Sequence, residues 1–239
     1  MMFLNSKKYC GKQFGMYTII KSVGEGRYGM CFLAHAIDDT PVILKRFKPN
    51  IFKKNKEKNS YEAIILSQLK HKAIPELLGV INQKGFYGFV LELKHGCTVK
   101  DLLFKHMHKF TREEFFNIGI QLIRIIKYIH ESGVVHRDIR IPNVLIDNGE
   151  VYLVDFGLAR WADNNKYAYD LDFSYLGDFL LYLLYSSFEK KEKYKKAPWY
   201  EELTLTSKQK LFLKKLFGLE LAYKNIEDIE ADFISMFKV

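Results

Sequence analysis

Two short stretches decide the interpretation of this chain: VVHRDIRIPN at residues 134–143 and VDFG at residues 154–157. Asp138 lies in the first stretch, on an expected loop after a long helix, and a loop on a rigid scaffold can aim a carboxylate at a hydroxyl group. Asn143 and Asp155 offer the oxygen ligands that Mg²⁺ takes when it is shared with phosphates. The two stretches therefore predict an acid–base group and a magnesium site close together.

A glycine-rich segment, GEGRYG, occupies residues 24–29. Its glycines allow the backbone to turn tightly and to present N–H groups to a phosphate chain. The same spacing occurs in dinucleotide-binding folds, where it opens a helix after a parallel strand. Here strand-forming residues lie on both sides, at 18–20 and 31–33, which favours a hairpin over the phosphates. The predicted phosphate-binding residues are Gly24, Glu25, Gly26, Arg27, Tyr28 and Gly29.

Lys45 ends the strand-like run VILK at residues 42–45. A lysine at this place can pair with phosphates if a carboxylate holds it. Glu62, on a helix predicted around residues 60–66, is the first candidate for that carboxylate. Glu57 is the second, because it lies in a charged run before the apolar pattern begins. The competing interpretation of Lys45 is an ordinary surface lysine, since lysines are abundant nearby.

Hydrophobic periodicity predicts the order of the secondary structure. Thr111 and Glu114 have the spacing of a capping box that opens a long helix, and Gly133 is expected to end it. Asn148 and Gly149 predict the turn of a β-hairpin. We expect three antiparallel strands within residues 17–47, strands at 77–82 and 86–93, a short helix after Thr98, a buried helix at 176–184, and amphipathic helices at 205–216 and 226–237.

As an ordered set, these motifs resemble the protein kinase superfamily, with its H-R-D-L-x-x-x-N and D-F-G motifs. Ile139, in place of Leu, is the one change within them. The resemblance covers residues 17–237 and implies a single α+β domain over residues 1–239 with the two-lobed protein-kinase-like fold. Its parts would be an N-lobe of antiparallel sheet plus one helix (about 14–93), a hinge (about 92–97) and a mainly helical C-lobe (about 98–239).

The resemblance implies ATP and Mg²⁺ as cofactors and phosphoryl transfer to a hydroxyl group. Asp138 would be the catalytic base, and Arg140 stands where many kinases carry a lysine that contacts the transferred phosphate. Lys45 would pair with the phosphates, and Asn143 and Asp155 would bind Mg²⁺. The residues expected around the adenine base are Cys31, Ile43, Leu91, Glu92, Lys94 and Leu145.

Two further positions gain a role from the resemblance. Asp172 begins DFSYLG at residues 172–177, and it would brace the catalytic loop; its alternative is a plain helix N-cap. His136 would be a packing residue. A zinc site formed with His130 is disfavoured, because no set of Cys or acidic ligands surrounds the pair.

The chain departs from the family in the segment after D-F-G. Only 14 residues, 158–171, precede Asp172, and no A-P-E motif follows. The Ala-Pro-Trp at residues 197–199 comes after the helix that it should precede. The segment contains Tyr167 and Tyr169 but no Ser or Thr, which excludes switching by Ser/Thr phosphorylation there. In addition, Ile43 replaces a small alanine and could narrow the adenine pocket.

These features leave three hypotheses for the function. The first is a serine/threonine protein kinase of the small bacterial type, whose partner is a protein substrate. The second is a kinase of a small molecule or sugar, which the shortened segment also resembles. The third is a nucleotide-binding pseudokinase that acts through contacts with partners, which Ile43 supports.

Composition sets the remaining expectations. The 239 residues carry a net charge of +9, but no aromatic interleaving or nucleic-acid motif accompanies the lysine runs, so solvated surfaces are favoured over a nucleic-acid or membrane site. Three widely spaced cysteines, without a CxxC, favour a reduced cytoplasmic location. We expect no membrane span and no export signal.

Overall fold

The structure is a computed structural model that describes residues 7–26, 29–48, 56–83, 86–163, 165–189 and 197–238. It divides into two compact units, Met1–Lys94 and His95–Val239, which we name the N-terminal and C-terminal units. The division falls within residues 92–97, the segment that the sequence predicts as a hinge. The single domain inferred for residues 1–239 stays a prediction.

The N-terminal unit contains a six-stranded antiparallel sheet with the strand order β1-β2-β3-β4-β6-β5. A helix, α1, follows β4. The predicted run of three consecutive strands and the pair after the helix are confirmed. The elements are β1 Gln13–Phe14, β2 Tyr17–Glu25, β3 Gly29–His35, β4 Pro41–Phe47, α1 Lys56–Gln68, β5 Leu77–Gln83 and β6 Phe86–Glu92.

Alternation along β3 and β4 builds the core of this unit. Phe32 lies opposite Leu44, and Ala34 lies opposite Val42, and all four side chains are buried. Because side chains alternate across a sheet, the residues between them face the other side. One face of β4, with Val42 and Leu44, therefore packs into the core, and the opposite face is available for functional residues.

The core also includes a residue that precedes the predicted lobe. Tyr9 ends a short 3₁₀ helix, Lys7–Tyr9, and its ring lies 5.4 Å from that of Phe32. The sequence interpretation began the N-lobe near residue 14, because a single tyrosine in a lysine-rich stretch shows no periodicity. The N-terminal unit therefore includes residues from Lys7 onward, ahead of the start predicted near residue 14.

The glycine-rich segment joins β2 to β3 as the predicted hairpin, and the Gly26 N–H donates to the Gly29 carbonyl at 2.9 Å. Arg27 and Tyr28, at its tip, lie outside the described residues. A Cβ on Gly29 would overlap the carbonyl oxygen of Arg46, whereas a Cβ on Gly24 or Gly26 would meet no atom within 4 Å. Of Gly24, Gly26 and Gly29, packing therefore requires a glycine at position 29 alone.

The C-terminal unit is mainly helical, as predicted, and has two small sheets, β10-β9-β7 and β11-β8. A 3₁₀ helix, Phe156–Leu158, follows β10. The elements are β7 Cys97–Thr98, α2 Val99–Phe104, α3 Arg112–Glu131, β8 Val134–Val135, β9 Val144–Asp147, β10 Glu150–Leu153, β11 Arg160–Trp161, α4 Asp170–Tyr185, α5 Trp199–Glu202, α6 Ser207–Leu216 and α7 Ile226–Phe237.

The boundaries of α3 follow from local sequence. Thr111 and Glu114 form both hydrogen bonds of the capping box, which confirms that prediction. The helix ends at its C-cap, Ser132, and Gly133 follows with φ +73°, the left-handed conformation that glycine adopts without steric cost. The C-cap is thus Ser132, and Gly133, which we expected to end the helix, is the residue after the C-cap.

The β9–β10 hairpin turns through Asn148 and Gly149, with φ values of 49° and 83°. Two central residues with positive φ match a type I′ turn, which suits the twist of adjacent strands. The predicted Asn-Gly turn is confirmed. At the end opposite the turn, the hairpin places Val144, the first residue of β9, beside Leu153, the last residue of β10.

Helix α3 packs against α7 at the centre of the C-terminal unit. Gly119 of α3 allows close approach, because a Cβ there would overlap the ring of Phe233. Phe233 is fully buried and lies within 6 Å of four other rings, those of Phe115, Phe116, Phe212 and Phe237. Over the described ranges, no helix combines the length and apolarity needed to cross a membrane.

We expect Phe233→Ala to lower the free energy of unfolding by about 3–5 kcal/mol, because it empties the centre of an aromatic cluster. Urea denaturation measures this loss. Phe104→Ala is the matched control: its side chain is 61% exposed, and its effect should stay within about 0.5 kcal/mol. Equal losses in both variants would contradict the central position of Phe233.

A second pair of variants tests the glycine-rich hairpin. Gly29→Ala should lower the free energy of unfolding by about 1–3 kcal/mol, because its Cβ has no room beside the backbone of Arg46. Gly24→Ala places the same methyl group in open space, and its effect should stay within about 0.5 kcal/mol. Thermal unfolding of both proteins compares them. The packing argument fails if Gly24→Ala is the more damaging change to stability.

Candidate active site

Lys45 and Glu62 form an ion pair in the N-terminal unit. The Lys45 Nζ lies 2.6 Å from the Glu62 Oε1, and the two residues are only 8% and 3% exposed. The surface-lysine interpretation of Lys45 is therefore wrong, and Glu62 is its partner; the side chain of Glu57 lies outside the described residues. Because desolvation offsets most of the attraction in a buried ion pair, stability alone is a weak reason for this arrangement.

Four residues predicted to contact the nucleotide share one face of the sheet. Ile43 and Lys45 both project from β4 on the side away from the core. Cys31 lies opposite Lys45 on β3, and Leu91 lies opposite Ile43 on β6. Directly opposed residues project to the same side of a sheet, so the four side chains line one surface.

The predicted hinge residues contact one another. Glu92 Oε1 binds the Lys94 Nζ at 2.6 Å, and Glu92 Oε2 accepts from the Glu76 N–H at 3.1 Å. The N–H of Glu92 donates to the Glu76 carbonyl at 2.9 Å. That N–H is therefore engaged inside the unit, so the predicted contact of the Glu92 backbone with adenine would use its carbonyl.

In the C-terminal unit, the Asp138 carboxylate is held by two side chains. Arg140 forms a fork with it, with Nε 2.6 Å from Oδ1 and Nη2 2.9 Å from Oδ2. The Asn143 Nδ2 donates to Oδ2 at 2.8 Å and to the Asp138 carbonyl at 2.9 Å. The hydrogen bond to Asp138 raises the pKa of Arg140. The loop thus fixes the orientation of a buried carboxylate.

Asp172 braces this loop from the first turn of α4. Its Oδ1 accepts the N–H of Arg137 at 2.7 Å, and its Oδ2 accepts the N–H of His136 at 2.8 Å. The His130 Nε2 lies 3.0 Å from the same Oδ2. The N-cap of α4 is Tyr169, so the N-cap interpretation of Asp172 is wrong and the bracing role is confirmed.

Both histidines are buried, and each ring is held by aromatic packing and by a hydrogen bond to one of its nitrogens. The His136 Nδ1 faces the N–H of Asp138 at 3.2 Å, and its ring meets Phe156 edge to face at 4.6 Å. Desolvation lowers the pKa of His136, although the Asp172 carboxylate opposes this shift. Its ring is therefore neutral at pH 7. No group of three or more His, Cys, Asp or Glu suited to a metal occurs within the described ranges.

Asn143 and Asp155 lie at the open end of the β9–β10 hairpin. The N–H of Val154 donates to the Asn143 carbonyl at 2.9 Å, which joins the two segments. Because the Asn143 amide nitrogen faces two acceptors on Asp138, the amide oxygen must point elsewhere. Asp155 is exposed and has φ 65°. This pair of oxygen donors fits a hard cation that takes its other ligands from phosphates and water.

Leu145 lies two residues beyond Asn143 and is half-buried in β9, opposite Tyr152. Its expected contact with adenine stays a prediction. Within each unit, the structure groups the predicted polar residues: Lys45 with Glu62, and Asp138 with Arg140 and Asn143.

One contact near this loop was missed from the sequence. The guanidinium of Arg137 lies over the ring of Tyr167, with its Cζ 4.6 Å from the ring centroid. The two positions are far apart along the chain, and no periodic pattern relates them. The only available signal was the presence of tyrosines in a segment without Ser or Thr.

Comparison with known proteins extends these observations. The family model described as "Protein kinase domain" matches residues 17–182. A probable serine/threonine-protein kinase, YbdM of Bacillus subtilis (strain 168), is 36% identical over 224 residues, which cover 90% of this chain and 87% of that protein.

Two longer proteins match over part of their length. The CTD kinase subunit alpha of Schizosaccharomyces pombe is 32% identical over 64% of this chain and 26% of its own length. The probable serine/threonine-protein kinase CPE1738 of Clostridium perfringens is 28% identical over 66% of this chain and 24% of its own length. Together with the catalytic-loop geometry, these matches show that the chain belongs to the protein kinase family and is an enzyme of that family.

Proposed function

We propose that this enzyme is a serine/threonine protein kinase that transfers the γ-phosphoryl group of ATP to a protein hydroxyl. The observation that carries the proposal is the Asp138 carboxylate, buried and held in one orientation by Arg140 and Asn143. The name of the Bacillus relative, which this chain matches over most of both lengths, supports the acceptor class. Transfer of this kind depends mainly on positioning and on charge stabilisation.

Asp138 would orient the acceptor hydroxyl and take its proton. A carboxylate offers about four lone-pair sites for hydrogen bonds. Three are used: one on Oδ1 by Arg140, and two on Oδ2 by Arg140 and Asn143. The remaining site, on Oδ1, is the one that we assign to the substrate hydroxyl.

Arg140 would stabilise the transferred phosphate. Its side chain is 55% exposed, so the guanidinium can turn from Asp138 toward an incoming anion. The planar fork that binds both carboxylate oxygens also matches two phosphate oxygens. After the acceptor hydroxyl has bound, Arg140 would exchange the two Asp138 oxygens for two phosphate oxygens, and Asn143 would continue to hold the Asp138 carboxylate.

Asn143, through its amide oxygen, and Asp155, through its carboxylate, would hold Mg²⁺. When bound, this ion would neutralise negative charge on the phosphate oxygens. The hydrogen bonds from Asn143 to Asp138 would keep the amide in the orientation that this role requires.

Lys45 would bind the nucleotide phosphates. Glu62 orients the Lys45 ammonium through their 2.6 Å contact, and the positive charge of that group would attract the phosphates. The glycine-rich hairpin would supply N–H groups, including those of Arg27 and Tyr28.

We assign the adenine base to the face with Cys31, Ile43 and Leu91. The Glu92 carbonyl and the Lys94 backbone complete this set. Leu145, in the C-terminal unit, stays a predicted adenine contact.

The shortened segment after D-F-G supports a second acceptor class, a small molecule or sugar, because it lacks the A-P-E motif of a peptide platform. We also propose a cytoplasmic location, which is supported by three cysteines that form no disulfide.

Asp138→Asn is expected to lower kcat by about 10²- to 10⁴-fold, because an amide cannot take the hydroxyl proton. ATP affinity should change little, since the substitution keeps the shape of the side chain. Transfer from labelled ATP with Mg²⁺ to separate pools of proteins and small molecules measures the first quantity, and calorimetry measures the second. Asp170→Asn, at an exposed position of α4, is the matched control.

Lys45→Met provides a second test and should also abolish transfer, with thermal unfolding measured in parallel because Glu62 loses its ion pair with Lys45. Label on small molecules alone would overturn the protein acceptor. Full activity in both Asp138→Asn and Lys45→Met would show that the chemistry lies elsewhere. Nucleotide binding without any turnover by the unmodified enzyme would favour the pseudokinase hypothesis.

A further inference from the structure

Arg137 holds a strained backbone conformation directly before Asp138. Its φ is 67°, in the left-handed region that residues other than glycine rarely adopt. Such a conformation persists only where surrounding contacts enforce it. One contact is the hydrogen bond from its N–H to the Asp172 Oδ1, at 2.7 Å. The side chain of Arg137 makes two further contacts.

Two groups hold the Arg137 side chain. The Nη1 donates to the Leu158 carbonyl at 3.1 Å, and the guanidinium lies over the face of Tyr167 at 4.6 Å. A guanidinium over an aromatic face is attracted by the negative charge of the ring quadrupole. Both groups belong to the short segment, residues 158–171, so this segment is joined to the residue beside the proposed base.

The position of Tyr167 is itself determined by local hydrogen bonds. The Asp163 Oδ1 accepts the N–H of Tyr167 at 2.7 Å and that of Asn165 at 3.0 Å. The N–H of Asp163 donates in return to the Tyr167 carbonyl at 3.2 Å. These backbone hydrogen bonds lower the pKa of Asp163, so its carboxylate is ionised at neutral pH.

The segment is anchored to the rest of the C-terminal unit just before Asp163. Strand β11 pairs with β8, and the N–H of Ala162 donates to the Gly133 carbonyl at 2.8 Å. Strand β8 ends at Val135, directly before the catalytic loop. The turn that carries Tyr167 is thus fixed to the same strand that leads into the loop.

We infer that Tyr167 is a positioning residue for the catalytic loop: its ring holds Arg137, and through it the backbone beside Asp138, in the place of a phosphorylated side chain. Kinase activation loops are commonly ordered by new pairs between arginine and a phosphorylated residue. Here the Arg137 guanidinium instead lies over the unmodified ring of Tyr167, in a segment without Ser or Thr. This inference rests on the proposed phosphoryl transfer.

The geometry favours the ring over the hydroxyl as the functional group. The guanidinium lies over the ring face, and the Lys166 Nζ approaches the same ring at 5.4 Å. Phenylalanine would preserve the ring at this position, whereas leucine would remove it at similar bulk. Comparing these two substitutions separates the ring from the hydroxyl and from any phosphate that the hydroxyl could carry.

Tyr167→Leu should lower kcat by about three- to tenfold, the range expected for losing one half-buried cation–π contact. KM for ATP should stay unchanged, because neither Arg137 nor Lys166, whose cations contact the ring, is a proposed nucleotide-binding residue. The midpoint of thermal unfolding should fall by only about 2–4 °C. Tyr167→Phe should retain activity within about twofold of the unmodified enzyme. Tyr182→Leu is the matched control, since Tyr182 is a tyrosine in α4 with 47% exposure.

A double-mutant cycle tests whether the effect passes through Arg137. Arg137→Gln should lower kcat, and adding Tyr167→Leu to it should have little further effect, because the contact is already lost. Additive losses would overturn the inference, and so would full activity in Tyr167→Leu. A loss in Tyr167→Phe as large as that in Tyr167→Leu would assign the role to the hydroxyl, and would also overturn it.

Two readouts keep this test separate from that of the proposed function. Intact mass should show active enzyme without phosphate, and phosphatase treatment should leave activity unchanged; loss of activity after treatment would contradict the inference. Hydrogen–deuterium exchange of amides 134–138 should accelerate in Tyr167→Leu but not in Tyr167→Phe. If the unmodified enzyme transfers no phosphate, the proposed function fails, while the exchange rates still decide whether Tyr167 orders the loop.

Discussion

The buried carboxylate of Asp172 is the constraint on which the C-terminal unit depends. It accepts the consecutive N–H groups of His136 and Arg137, and it contacts the ring of His130. Burying a carboxylate away from water costs free energy unless hydrogen-bond donors satisfy its lone pairs. The loop must therefore keep both N–H groups directed at Asp172. Helix α4 thereby determines the path of the chain as it enters Asp138.

A second buried ion pair, Lys45 with Glu62, is central to the chemistry that we propose for the N-terminal unit. Lys45 and Glu62 contribute little to stability by themselves, because desolvation offsets their attraction. Stability comes instead from apolar packing: the sheet core in one unit and the aromatic cluster around Phe233 in the other. The apolar residues that stabilise the fold are thus distinct from the Lys45–Glu62 pair, for which we propose a role in the reaction.

The sequence was informative wherever a local signal decides the structure. The capping box at Thr111 and the Asn-Gly turn at residues 148–149 depend on neighbouring residues alone, and both were predictable. The choice of Glu62 over Glu57 also followed from a local apolar pattern. Contacts between distant segments were not predictable: spacing could not show that Gly29 is needed for packing while Gly24 is not, or that Asp172 lies beyond the N-cap of its helix.

The contact of Tyr167 with Arg137 belongs to this second class, and it bears on how a kinase with a short activation segment keeps its loop ordered. A phosphorylated residue adds about −1.5 to −2 charges, which a phosphatase can remove. An aromatic ring offers a weaker attraction but a permanent one, supported here by the hydrogen bonds of Asp163. Because the strained φ of Arg137 needs continuous enforcement, a permanent contact suits this position better than a reversible one. On this inference, the geometry beside Asp138 depends on folding alone and needs no phosphorylated Ser or Thr in this segment.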